Sequence, residues 1–133
     1  MSTRWYIAGS MRGLKLFNFP AFDAARDRLK AEGHEVVSPA DIDRAHGFDP
    51  SELPDDYDWS DDSNVDMDHI IPRDLNAILE CDGIFMLDGW MNSVGAFAEW
   101  AVALWAGKKI RYESRPWVFS AMTMIARKIE RSM

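Results

Sequence analysis

The stretch GIFML, residues 83–87, runs five residues without a polar side chain between Asp82 and Asp88. Alternation would mark a strand with one wet face. An unbroken apolar run of this length marks a strand covered on both faces, as strands of parallel sheets are. Before it, PRDLNAILECDG (72–83) predicts a helix opened by Pro72, with Leu75, Ile78 and Leu79 facing inward. After it, SVGAFAEWAVALWAG (93–107) predicts a helix stopped by Gly107, and KKIRYE (108–113) a further strand.

The pattern repeats toward the N-terminus. WYIA (5–8) is a short strand ending at Gly9. In NFPAFDAARDRLKAEG (18–33), Pro20 suits a first helical turn, Gly33 the residue past the end, and Phe22, Ala25 and Leu29 share a face. HEVVSP (34–39) reads as the second strand, and Val118, Met122, Ile125 and Ile129 align on a last helix. Strands alternating with helices over residues 1–133 predict a single α/β domain. Its core is a doubly wound parallel sheet, flavodoxin-like or Rossmann-like, of about four strands with helices on both faces.

The formal net charge is −7, and half of the 22 acids fall between Asp41 and Asp68, against Arg44 as the only base there. This acidic excursion at 41–68 reads as a solvated, mobile lid or loop, in which Tyr57 and Trp59 point to some order. A broad basic face is what duplex nucleic acid requires, so that partner is excluded. No apolar run approaches the roughly 20 residues of a membrane helix. The start of the chain reads as carrying no secretory leader, and the single Cys81 suits a reducing compartment, so a cytoplasmic location is expected. His34, His46, His69 and Cys81 have no metal-ligand spacing, and neither a metal nor a cofactor is expected.

In a doubly wound sheet, ligands bind beyond the carboxyl ends of the strands, near the switch point. This directs attention to residues 9–13, to residues 88–95 and to the start of the last helix. Gly9, Ser10, Met11, Arg12 and Gly13 offer backbone N–H groups, a hydroxyl and a guanidinium, the donors an anion needs; an ordinary turn with a solvated arginine reads equally well. Glu99 stands among Ala96, Phe97, Ala98, Trp100, Ala101 and Val102, where a carboxylate is poorly solvated and calls for a partner or a catalytic task. Gly95 lets another group approach that helix closely. Asp74 is placed in the first turn of its helix, where the dipole favours its ionised form. Two carboxylates in one cleft would equip a glycosidic-bond enzyme.

With these residues placed, the chain resembles the nucleoside 2-deoxyribosyltransferase superfamily. Within it the chain is more similar to the 2′-deoxynucleoside 5′-monophosphate N-glycosidases, and more similar still to a largely phage-borne branch. The likeness rests on YIAGSMRG (6–13), the Asp74 of RDL, the Glu99 of SVGAFAEWAVA and the Ser120 of VFSAM. It implies that the loop at 9–13 wraps a 5′-phosphate and that Tyr6 contacts the catalytic Glu99. Asp74 would support the sugar, and Ser120 would reach the phosphate of a neighbouring subunit in a homodimer. Ser93 stands where the transferases tend to carry an aspartate, and its hydroxyl can donate to a phosphate. The chain departs from the pattern at Phe97 and Leu14, where glycines are usual, and leaves no room for a fifth strand.

The implied activity is hydrolysis of a (2′-deoxy)nucleoside 5′-monophosphate to free base and deoxyribose 5-phosphate through a Glu99 glycosyl-enzyme. The alternatives are a transferase exchanging bases, and a non-catalytic module that binds or sequesters a nucleotide.

Overall fold

The computed structural model describes residues 2–61, 63, 65–114, 124 and 126–132. Four strands, β1 (Arg4–Ala8), β2 (Glu35–Val37), β3 (Gly83–Met86) and β4 (Lys109–Tyr112), form one sheet in the order β2-β1-β3-β4. Every pairing is parallel; Tyr6 lies opposite Val37 on one side and Ile84 on the other. The connections are α1 (Phe19–Ala31), α2 (Pro39–Ala45), α3 (Met67–Glu80) and α4 (Val94–Trp105). The expected doubly wound α/β sheet is therefore present, with its switch point between β1 and β3.

Side-chain alternation along β1 and β3 builds the two cores. Trp5, Ile7, Phe85 and Leu87 face Phe19, Phe22, Ala25 and Leu29 of α1. Tyr6, Ala8, Ile84 and Met86 face Ile78 of α3 and Ala96, Trp100 and Ala103 of α4. All of β3 is buried, as its unbroken apolar run requires. Gly83 is there for space: a Cβ at that position would lie 2.5 Å from Cζ3 of Trp5. Among the described residues no helix is long and apolar enough to cross a membrane.

Three expectations need correction. First, α3 begins at Met67, so Pro72 lies inside the helix instead of opening it. Its ring fits helical φ, and the one backbone bond it removes lies on a side where Asp68 and Pro72 are exposed, so water can replace that bond. Asp74 consequently sits in mid-helix, beyond the reach of the N-terminal dipole. Second, Leu79 is 50% exposed, while Leu75 and Ile78 do pack inward as expected. Third, the acidic excursion is not a uniformly solvated loop. It opens with α2, where Arg44 pairs with Asp23 at 2.6 Å and Arg26 with Asp41 at 2.6 Å. Further on, Tyr57 and Trp59 pack on Phe17 with ring centroids 6.1 and 5.4 Å away. At the C-terminal end, residues 126–132 are helical and Ile129 is exposed; Val118, Met122 and Ile125 lie outside the described residues.

Candidate active site

Tyr6 points from the middle of β1 to the face covered by α3 and α4. Because α4 buries Ala96, Trp100 and Ala103, the neighbouring Glu99 is turned toward α3 and half-buried. The Tyr6 hydroxyl donates to Glu99 Oε2 at 2.5 Å. Burial pushes the Glu99 carboxyl up to about 8, the Asp74 charge adds to the rise, and the Tyr6 hydrogen bond opposes it. Burial raises Tyr6 well above the usual phenol range, so it remains a proton donor. Asp74, from α3, also faces the Tyr6 hydroxyl, and burial raises its carboxyl although Arg73 and Tyr6 favour the charge. The three residues expected to act together are thus brought together.

Two members of this cluster escaped the reading of the sequence. Arg73 Nε donates to Asp74 Oδ1 at 2.9 Å, and its Nη2 donates to Asp43 Oδ1 at 2.9 Å. Asp43, from α2, is raised by burial and held down in part by Arg73. A continuous polar path therefore runs Asp43–Arg73–Asp74–Tyr6–Glu99. Arg73 was visible as the neighbour of Asp74 in RDL. Asp43 gave no signal, being one acid among the many of its segment.

The expected anion donors are only partly assembled. Gly9 ends β1 against β3, where a Cβ would meet Leu87 Cδ1 at 2.8 Å, so this glycine serves the close approach of the two strand ends. The Ser10 hydroxyl donates to the Gly89 carbonyl at 3.0 Å, which ties the loop after β1 to the loop leading to Ser93. Ser93 caps α4, its Oγ accepting from Ala96 N–H at 3.1 Å, and Gly95 follows in the first turn, where a Cβ would lie 3.9 Å from Ser93 Oγ. Gly13, with φ of 78°, donates its N–H to the Trp59 carbonyl at 2.9 Å. The Arg12 guanidinium lies against Met67 Sδ at 2.7 Å, and Met11 is half-buried under the α1 core. Ser120 lies outside the described residues.

The turn that follows is strained. Leu16, Phe17 and Asn18 hold φ of 55°, 51° and 62°, a left-handed run costing roughly 1–2 kcal/mol per residue. Burial of Phe17 against Phe48, Tyr57 and Trp59 offsets that cost, as does the bond from Asn18 Nδ2 to the Ser10 carbonyl at 2.9 Å. The Asn18 bond ties the Ser10 carbonyl to this turn, and strained turns of this kind collect at functional sites.

A shallow apolar depression of about 320 Å³ is lined by Met91, Asn92, Ser93, Val94, Phe97 and Ala98. It lies on the outer side of α4 and does not include Glu99, Tyr6 or Asp74. Among the described residues no cluster of three His, Cys, Asp or Glu side chains could hold a metal ion. What remains for chemistry is a half-buried carboxyl poised near neutrality, a phenol donor and a second carboxyl.

No curated protein matches the chain. A family model described as a domain of unknown function, DUF4406, matches residues 3–112, a span from β1 through β4 that includes Tyr6, Arg73, Asp74 and Glu99. The chain belongs to this DUF4406 family.

Proposed function

We propose that the protein hydrolyses the N-glycosidic bond of a (2′-deoxy)nucleoside 5′-monophosphate. The observation that carries this reading is the 2.5 Å hydrogen bond from Tyr6 to Glu99, with the Asp74 carboxyl beside it. A carboxylate oxygen of Glu99 attacks C1′ of the sugar, the C1′–N bond breaks, and its electron pair leaves with the base. The base takes up a proton, from Asp74 when that carboxyl is protonated and otherwise from water. Water then opens the glycosyl ester, releasing deoxyribose 5-phosphate and restoring Glu99. Tyr6 steadies the charge on Glu99 before attack. Ser10, Ser93 and the amides of residues 9–13 would bind the phosphate, with the Gly13 N–H turning from Trp59 to the ligand. Energy from that remote group holds the sugar over Glu99. The likeness of YIAGSMRG, RDL and SVGAFAEWAVA to the deoxynucleoside monophosphate N-glycosidases supports the same assignment.

The test is chromatography of the protein incubated with each deoxynucleoside 5′-monophosphate, modified bases included. Free base and deoxyribose 5-phosphate in equal amounts are expected. Base exchange on adding a second free base, with no net hydrolysis, would indicate a transferase. Tight binding with neither outcome would indicate a sequestering module.

The outer face of α4 supports a second copy of the chain as partner. Val94 is 89% and Trp105 80% exposed, and Ala98 and Ala101 lie between them on the same face. Trp105→Glu is expected to convert a dimer to a monomer in light scattering; a wild-type monomer would contradict the pairing. Such a dimer is also what a phosphate contact by Ser120 across subunits requires.

A further inference from the structure

Arg73 is a cation placed where the fold gains little from it. It and Asp74 are each 16% exposed, and Asp43 is 18% exposed, so all three charges have lost most of their water. Pairs of this kind offset their own desolvation without adding much stability. What they do provide is direction. The guanidinium is planar, and it spends its Nε on Asp74 and its Nη2 on Asp43, both at 2.9 Å, so two carboxylates from different helices hold one rigid fork.

We propose that Arg73, anchored by Asp43 of α2, is a positioning residue that aims the Asp74 carboxylate at the Tyr6–Glu99 pair. The clamp serves the glycosidase reading given above, and it also implies a coupling that exists without substrate. The charged and titratable groups facing it are Asp43, Asp74, Tyr6 and Glu99, with His46 acting on Asp43. The α2 helix is itself held to α1 through Arg44 and Asp23 and through Arg26 and Asp41. The angle of the fork is therefore set by a braced layer of the fold and not by α3 alone. A lysine would keep the charge but could not hold both carboxylates at a fixed angle.

Two variants and two readouts test the clamp. With the nucleotide cleaved fastest by the wild type, Arg73→Lys is expected to lower kcat about 10- to 100-fold while KM stays within about threefold. Thermal unfolding should confirm that the variant remains folded. Wild-type kcat in Arg73→Lys, or a loss confined to KM, overturns the proposal. Independently of any substrate, the ¹³C carboxyl signals of Asp74 and Glu99 are followed against pH in the wild type and in Asp43→Asn. Displaced titration midpoints at Asp74 and Glu99 in the variant support the clamp; superimposed curves overturn it. A wild type that shows this coupling yet releases no base removes the glycosidase reading and leaves the clamp standing.

Discussion

Glu99→Gln is expected to lower base release at least about 1,000-fold, because the amide cannot form the ester to C1′ on which turnover depends. The substitution keeps the shape of the side chain and an oxygen that can accept from Tyr6, so the cores on both sides of the sheet should stay intact. Thermal unfolding of the variant near pH 7 at or above the wild-type temperature, together with the loss of turnover, would assign the defect to chemistry. Release within tenfold of wild type would mean that Glu99 is not the nucleophile.

The second large effect concerns stability. The Glu99 carboxyl lies at about 8 in the fold, against an ordinary value of 4.5, because burial disfavours its charge. Between those values the folded protein holds a proton that the unfolded chain has released. The proton excess is on the folded side, so stability is greatest below about 4.5 and falls as pH rises through about 8. The slope approaches about 1.4 kcal/mol per pH unit for one such group. Asp74 and Asp43, both raised by burial, act in the same direction. Urea unfolding of wild type across pH 5 to 9 should therefore show declining stability. Glu99→Gln should show a shallower decline, with its gain over wild type growing as pH rises from about 5 and levelling above about 8. Parallel curves for the two proteins would place the Glu99 carboxyl in a wetter setting than the one described. The same ionisation sets the rate: kcat/KM should climb about tenfold per pH unit up to about 8 and then level.

On the proposed reading such a site gives up stability in exchange for reactivity, and the architecture shows where the loss is made good. The sheet is closed by β3, apolar throughout, and by aromatic packing around Trp90, Trp100 and Tyr112, with Trp100 Nε1 donating to the Tyr112 hydroxyl at 3.0 Å. Against that frame a few unfavourable groups can be held in one place.

Much of the fold was legible because hydrophobic pattern and strand environment are tied by the same physics. GIFML could only be an interior strand, and the alternation around it left few topologies. The error at Pro72 arose because a proline that suits a helix start also fits inside a helix where its missing bond faces water. Glu99 was legible from its apolar flanks, which announce a desolvated carboxyl. Asp43 was not, because a charge in a sequence does not name its partner, and Arg73 lies 30 residues from it. The order of the excursion was legible only in part, from Tyr57 and Trp59, for a related reason. Its acids suggested solvation, whereas Tyr57 and Trp59 anchor it on Phe17 through a turn whose left-handed backbone the residue types do not predict.

The most direct measurement is covalent trapping. A 2-fluoro-substituted nucleoside 5′-monophosphate slows the opening of a glycosyl ester, because the fluorine destabilises the positive charge that forms at C1′. Intact-protein mass spectrometry should then show one added sugar phosphate, and peptide mapping should place it on Glu99. Base release with no adduct, or with the adduct on another residue, would contradict the account.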